Sequence, residues 1–151
     1  MLVKYAMLEE PLKVSPTTGL REILEGLLAA GLDTAAVVSA DGTLVGVVGA
    51  HDVMQKIVPL YVDMDEALAG LIHEGYFEER FATLKDVTAA DIATTKVDTI
   101  GLDDTLIQAA TIFVKHHRRV LPVVQGTKLV GMISRRSLFK RVSEMLSSNG
   151  G

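Results

Sequence analysis

A cluster of hydroxyl and basic side chains follows two apolar segments near the C-terminal end of the sequence. Ser134 stands where a helix should begin, and Arg135 and Arg136 would occupy the first helical turn. The N-terminus of a helix presents unpaired backbone N–H groups, which together with the helix dipole attract anions. These residues therefore predict a binding site for a phosphorylated anion.

Two predicted strands position this helix start. Residues 120–124 and 129–133 are rich in β-branched and other apolar side chains, and residues 125–127 supply a turn between them. An amphipathic helix is expected over residues 136–146. The same order of elements occurs over residues 33–52, where Asp41-Gly42 is the turn signal.

The chain is therefore a repeat. Leu20 corresponds to Leu106 at an offset of 86 residues, and Gly46 corresponds to Gly131 at an offset of 85. The difference of one residue falls in the turn, where length is least constrained. Each copy is predicted to run strand–helix–strand–strand–helix.

The repeat predicts four segments. They are copy one (residues 5–58), a helical insert (59–82), copy two (83–146) and a loose tail (147–151). In copy one, Thr17 or Thr18 is expected to cap a helix that ends at Gly31. In copy two, Asp103 or Asp104 is expected to cap a helix whose apolar face carries Leu106, Ala109, Ala110, Phe113 and Val114. In the insert, residues 67–75 and 78–84 are expected to be helical.

Charge is distributed unevenly. Residues 115–151 hold eight of the 15 Lys and Arg residues but one of the 19 Asp and Glu residues, in a chain of net charge −4. A solvated basic helix face and an anion site both agree with this pattern. Nucleic acid is disfavoured as a partner, because the acidic remainder of the chain would repel it.

Several classes of site are disfavoured by the sequence. There is no cysteine, which excludes disulfides and Cys–zinc sites. His116 and His117 are adjacent, so on a helix they would point in different directions and form a poor metal pair. No nucleophile elbow or Walker loop is present, and we expect no metal site and no catalytic residues. No apolar run suits a signal peptide or a membrane span, so a cytoplasmic protein without membrane contact is expected.

The repeat resembles the cystathionine-β-synthase (CBS) domain pair, or Bateman module. The resemblance is carried by Leu44-Val45-Gly46 and Leu129-Val130-Gly131, each followed by two apolar residues and a helix, and by residues 120–124 as a first core strand. It implies an α+β fold of tandem β-α-β-β-α repeats with pseudo-twofold symmetry. It also implies a stand-alone module that forms a homodimer through the repeat helices.

The resemblance further implies a ligand motif of Gly, two residues, Ser or Thr, two residues and Asp. Copy one keeps Asp52 but has Gly49 at the hydroxyl position, whereas copy two keeps Ser134 but has Ser137 at the acidic position. The implied roles are ribose binding by Asp52 and Ser137 and phosphate binding by Gly49 and Ser134. Alternatively, Asp52 and Ser134 only cap their helices.

Basic residues complete the predicted phosphate site. Arg119 resembles a phosphate-contacting arginine in the gamma subunit of AMP-activated kinase, and its counterpart in copy one is Asp33. Arg118, Arg135 and Arg136 are expected to draw the anion to the same place.

The resemblance implies a non-enzymatic regulatory module. It would bind AMP, ADP, ATP or S-adenosylmethionine in the cleft between the repeats, without an obligatory cofactor, and change its contacts with an unknown protein partner. The alternative is an interaction and dimerisation module that binds no ligand.

Overall fold

The computed structural model describes residues 1–149, and of Asp63 it describes the backbone alone. Copy one forms β1 (Lys13–Val14), α1 (Leu20–Ala30), β2 (Thr34–Val38), β3 (Leu44–Gly49) and α2 (Ala50–Ile57). The segment between the copies forms α3 (Leu60–Met64), a 3-10 helix (Glu66–Leu71), α4 (Tyr76–Ala82) and α5 (Ala89–Ile92). Copy two forms β4 (Ile100–Gly101), α6 (Leu106–His116), β5 (Val120–Gln125), β6 (Lys128–Ser134) and α7 (Arg135–Asn149).

The strands form two three-stranded sheets of the same order, β1-β2-β3 and β4-β5-β6. The first strand of each sheet runs parallel to the second, and β5 pairs with β6 in the antiparallel direction. Gly42 and Gly126 adopt positive φ angles in the turns between the paired strands. The α+β fold with tandem β-α-β-β-α copies is thereby confirmed.

The compact units of the chain are discontinuous in sequence. The copy-one unit consists of Leu12–Val37 and Val45–Thr95, and the copy-two unit consists of Met1–Pro11, Val38–Leu44 and the described residues from Lys96 onward. Each unit thus contains the segment that precedes the other copy. The predicted boundaries of the copies describe the sequence repeat, whereas the units exchange these leading segments.

Backbone hydrogen bonds fix the exchanged segments. In the copy-two unit, Leu8 N–H donates to the Met132 carbonyl (2.7 Å) and Met132 N–H donates back (3.1 Å). In the copy-one unit, Thr94 and Val47 exchange the equivalent bonds, at 2.8 and 3.0 Å. Leu8 and Thr94 are themselves separated by the repeat offset, so the same bridge forms in both units.

Each unit has its own apolar core. The copy-one core contains Leu20, Ile23, Leu27, Ala35, Val37, Val48, Val53, Ile57, Leu84, Ala89 and Ile92. The copy-two core contains Val3, Ala6, Ile100, Ala109, Phe113, Leu121, Val123 and Ile133. On α6, Ala109 and Phe113 are buried as predicted, but Val114 lies on the outer face and is exposed. The prediction that Val114 lies on the apolar face of α6 was therefore wrong.

The predicted N-terminal caps of α1 and α6 were wrong, whereas α1 does end at Gly31 as predicted. The N-cap of α1 is Gly19, without a side-chain hydrogen bond, and the Thr18 hydroxyl instead accepts from Ser15 N–H in the preceding turn. The N-cap of α6 is Thr105, whose hydroxyl accepts from Gln108 N–H (3.3 Å). Asp104 accepts from Gly101 N–H (2.7 Å), which stabilises the loop before the helix.

The insert and the chain end differ in detail from the sequence expectations. The predicted helix over 67–75 is a 3-10 helix that ends at Leu71, with Leu71 exposed, and the next helix is α4 at Tyr76–Ala82. The predicted range contains Gly70 and Gly75, and glycine disfavours a continuous α-helix. Residues 147–149 extend α7 instead of starting the loose tail, whose remaining residues, 150 and 151, lie outside the described part.

Candidate functional site

The start of α2 is organised by Gly49. This residue ends β3 and serves as the N-cap, and its N–H donates to Asp52 Oδ2 (2.8 Å). The next residue, Ala50, donates its N–H to the Asp33 carbonyl (3.2 Å). A Cβ atom at position 49 would collide with that carbonyl oxygen. The backbone of Gly49 therefore approaches the Asp33 carbonyl more closely than a Cβ atom at this position would allow.

Asp52 has a second partner in the exchanged segment. Thr94 Oγ1 donates to Asp52 Oδ1 (2.8 Å), and the Thr94 backbone is held against Val47 by the two bonds described above. Each carboxylate oxygen thus accepts one hydrogen bond in this structure. Because each oxygen has two lone pairs, the half-buried carboxylate retains the capacity to accept from a ligand hydroxyl.

These contacts bear on two of the predicted roles. Asp52 does cap its helix, as the alternative interpretation held. The Gly49 N–H, which was expected to face a phosphate, is engaged by Asp52 instead. The chemistry offered at the start of α2 is therefore that of a fixed hydrogen-bond acceptor.

The start of α7 has the same backbone geometry with different side chains. The Ser134 hydroxyl accepts from Ser137 N–H and the Ser137 hydroxyl accepts from Ser134 N–H, both at 2.9 Å. Arg135 N–H donates to the Arg119 carbonyl (3.3 Å), as Ala50 does to Asp33 in the other copy. The reciprocal serine pair thus replaces the carboxylate cap while the helix starts in the same way.

The four predicted arginines fall into two groups. Arg119, Arg135 and Arg136 are exposed around the start of α7. Arg118 donates from Nε to Asp98 Oδ2 (2.8 Å), and is thus held in an ion pair. The structure brings Arg119 and Arg135 together through their backbones and pairs Arg118 with Asp98.

Asp98 is a further charged residue that sequence reasoning missed. It lies before β4 and also receives a hydrogen bond from His116 Nδ1 (2.8 Å) on the last turn of α6. The hydrogen bond from His116, followed by that from Arg118, lowers the pKa of the Asp98 carboxyl below its usual value. This triad of Asp98, His116 and Arg118 connects the loop before β4 to the end of α6 and to the residues that lead into β5.

Thr94 was also missed. It lies 42 residues from Asp52 in the sequence, and no motif links the two positions. A hydroxyl residue shortly before the first strand of copy two is the only signal that the sequence offered.

Neither a metal cluster nor a membrane-spanning helix occurs among the residues that the structure describes. No three His, Asp or Glu side chains there are grouped so as to hold a metal ion. None of the helices within residues 1–149 is both long and apolar enough to cross a bilayer.

Comparison with protein families decides the classification. The model of the CBS domain matches this chain twice, at residues 3–59 and 89–144. The chain belongs to the CBS-domain family. Two matched segments make it a CBS pair, so the resemblance read from the repeat is confirmed.

Known proteins similar to this CBS pair include both curated and structural relatives. A homoserine O-acetyltransferase of Methanocorpusculum labreanum is 27% identical over 97% of this chain, which spans only 25% of the length of that enzyme. A CBS domain-containing protein of unknown function from Kribbella flavida is 25% identical, with a TM-score of 0.71, over 95% of this chain and 99% of its own. CBSX2, in a structure in complex with AMP, is 20% identical, with a TM-score of 0.72, over 95% of this chain and 97% of its own.

Proposed function

We propose that this chain is a non-catalytic regulatory module that binds an adenine nucleotide or a related adenosyl ligand. The AMP complex of CBSX2, a protein of the same fold, supports the ligand class. Binding would alter the contacts of the module with a protein partner. The observation that carries the proposal is the Asp52 carboxylate, fixed by Gly49 N–H and Thr94 Oγ1 and still able to accept further hydrogen bonds.

The role proposed for Asp52 is recognition of the ribose. A carboxylate can accept from two neighbouring hydroxyls, and hydrogen bonds to a charged group are stronger than those between neutral groups. Because Thr94 and Gly49 already orient the carboxylate, little side-chain entropy is lost on binding. At the start of α7, Ser137 is the weaker counterpart, as a neutral hydroxyl.

The two helix starts should differ in the ligands they prefer. Asp33 lies beside the start of α2 and would repel a polyphosphate, which favours AMP or S-adenosylmethionine over ATP there. Arg119, Arg135 and Arg136 surround the start of α7, where attraction should rise with phosphate number. Copy one thus suits the adenosyl group, and copy two suits the phosphates.

Calorimetric titration with AMP, ADP, ATP and S-adenosylmethionine tests the proposal. Replacing Asp52 with Asn should weaken binding of every ribose-containing ligand about tenfold, since a hydrogen bond to a charged group is lost. Inorganic phosphate, which has no ribose, should be unaffected. Asp91→Asn is the matched control, because Asp91 caps α5 through Thr88 N–H (2.9 Å) in the same way and should not touch the ligand.

Arginine substitution tests the phosphate role. Arg119→Ala should reduce affinity more for ATP than for AMP, whereas Arg21→Ala on the exposed face of α1 should change neither. Equal losses for all ligands would contradict the assigned role of Arg119.

The second candidate is an interaction module without a ligand. It is favoured by the observation that the motif residues Asp52, Ser134 and Ser137 all form helix caps. No binding heat and no rise in melting temperature with any of the four ligands would reject the sensor and leave this alternative.

A further inference from the structure

The segment between the two copies contains an apolar groove. It has a volume of about 290 Å³ and lies at the end of α2, among α3, the 3-10 helix and α4. Its walls are mainly apolar and include Ile57, Val58, Val62, Ile72 and Phe77. All of these residues belong to the copy-one unit, so the groove is formed within that unit alone.

Large apolar side chains that flank the groove in the chain are not buried by the protein. Leu60 is 83% exposed, Met64 89% and Leu71 82%. Exposed apolar patches of this kind are uncommon on monomeric proteins and mark interaction sites. These three side chains are not part of the groove lining, so a small molecule in the groove would leave them in water. A macromolecular partner can cover both the groove and its neighbours.

The charge of the insert specifies the partner further. Residues 59–82 contain six Asp or Glu residues, and Arg80 is their sole Lys or Arg. The Arg80 side chain is already engaged, because its Nε donates to the Lys56 carbonyl (2.9 Å). Among the residues that the structure describes, no Lys or Arg forms an ion pair with an acidic side chain of the insert. A complementary partner therefore combines apolar side chains with positive charge.

The walls of the groove also specify the form of the partner segment. The lining residues lie on helices and on the loops between them, and none of them lies in a strand. The groove therefore offers no sheet edge to which a partner strand could be added. A groove between helices suits an amphipathic helix whose apolar face enters it.

We propose that this groove docks an amphipathic helix of a partner protein, with apolar side chains on one face and Lys or Arg beside that face. The apolar side chains of the partner helix fill the groove and cover Leu60 and Leu71. Its basic side chains face Glu74, which is exposed in the groove lining, and the other acidic residues of the insert. The groove lies at the end of α2, whereas Asp52 lies at its start, and docking does not depend on nucleotide binding.

Fluorescence anisotropy with a labelled synthetic peptide and the full chain tests the proposal. The probe is a peptide of leucine and lysine, about 15 residues long so that it can form a helix, with the leucines on one helical face. It should bind with a dissociation constant in the micromolar range, whereas the same peptide with glutamate in place of lysine should not bind. Equal binding of the two peptides, or binding of neither, would overturn the proposal.

Truncation of exposed leucines locates the bound peptide. Leu60→Ser and Leu71→Ser should each raise the dissociation constant of the basic peptide about tenfold, as loss of an apolar anchor does. Leu28→Ser is the matched control, because Leu28 on α1 is also 83% exposed and does not line the groove. All three side chains are exposed, so the melting temperature should not change. An equal loss of binding in Leu28→Ser would contradict docking in the groove.

Charge reversal separates local attraction from the attraction of the whole chain. Glu74→Lys and Glu22→Lys change the net charge by the same amount, but Glu74 lines the groove and Glu22 lies on the exposed face of α1. Glu74→Lys should weaken binding of the basic peptide several-fold more than Glu22→Lys does. Equal effects would mean that the peptide responds only to overall charge, and the proposal would then be wrong.

Sedimentation equilibrium without peptide tests for another occupant of the groove. Leu60→Ser and Leu71→Ser should have the same oligomeric state as the wild type at each concentration. Dissociation of a wild-type oligomer by these substitutions would assign the groove to a second copy of this chain and overturn the proposal.

Discussion

The starts of α2 and α7 share a backbone and differ in chemistry. In both, the first N–H of the helix donates to the carbonyl of a residue that precedes the middle strand, Asp33 in copy one and Arg119 in copy two. In copy one the cap is a carboxylate with a threonine partner, and in copy two it is a pair of serines. The residue whose carbonyl accepts this bond has an acidic side chain in copy one (Asp33) and a basic side chain in copy two (Arg119).

This difference shows which features the fold requires. The carbonyl contact, the bridge to the exchanged segment and the glycine beneath that bridge occur in both units, so they are structural. The charges at positions 33 and 119 are not needed for folding, since the fold accepts either sign. Such positions are where a duplicated fold can acquire a different ligand preference.

The largest effect on stability is expected from substitution of Gly46 and Gly131. These glycines lie against the segments that form the Val47–Thr94 and Leu8–Met132 bridges. A Cβ atom at Gly46 would collide with the Thr94 carbonyl and lie 3.3 Å from the Thr95 Cα, so backbone must move. At Gly131 one close contact is with Met7 Sδ (2.8 Å), which can move, beside the Leu8 carbonyl (2.9 Å). Gly46→Ala should lower the free energy of unfolding by about 3 kcal/mol, and Gly131→Ala by less.

Urea denaturation measures both effects. Gly19→Ala is the control, because nothing lies within 4 Å of a Cβ atom at that position. A wild-type midpoint for Gly46→Ala would mean that residues 94 and 95 do not pack on β3.

The C-terminal ends of α1 and α6 provide a smaller comparison. Gly31 ends α1 with a φ of 65°, and His117 ends α6 at the equivalent position with a φ of 54°. A left-handed conformation is strained for a residue with a Cβ atom and natural for glycine. His117→Gly should therefore raise the free energy of unfolding by about 1 kcal/mol, and Gly31→Ala should lower it by about as much. Thermal melts of the two variants measure the shifts, and a destabilised His117→Gly would contradict the argument.

The smallest expected effect on stability is that of Asp98, whose counterpart in copy one is the apolar Leu12. His116 and Arg118 lower the pKa of Asp98 in the folded chain. A carboxyl with a lowered folded pKa stabilises the protein above its unfolded pKa of about 3.9, and this contribution disappears as the pH falls through the folded value. Denaturation series should therefore show a steeper loss of stability in acid for the wild type than for Asp98→Asn. Parallel curves would contradict the contribution of the triad.

Much of the fold could be predicted from local patterns. The apolar spacing in α1 and in the paired strands reflects burial on one face, and Gly31, Gly42 and Gly126 mark turns because they adopt positive φ angles. The caps of α1 and α6 could not be predicted, since several adjacent residues are equally suitable. Only the path of the backbone decides which of them reaches a helical N–H.

The candidate site could be predicted only in part. Asp52, Ser134 and Ser137 could be proposed because the motif is local in sequence, and their ligand-binding roles stay predictions. Thr94 and Asp98 were not, because each depends on a contact between segments that are distant in the chain. The ion pair between Arg118 and Asp98 could not be predicted for the same reason.

The exchange of leading segments also constrains how the chain folds. The bridge between Leu8 and Met132 joins residues near the two ends of the chain, so it contributes a high contact order. During synthesis, residues 1–11 emerge long before β6, to which they pair. A fragment limited to copy one would likewise lack the Thr94 segment that covers β3. Neither copy is therefore a self-sufficient folding unit, because the sheet of copy one is covered only when residues 94 and 95 have been made, and the sheet of copy two needs residues 1–11.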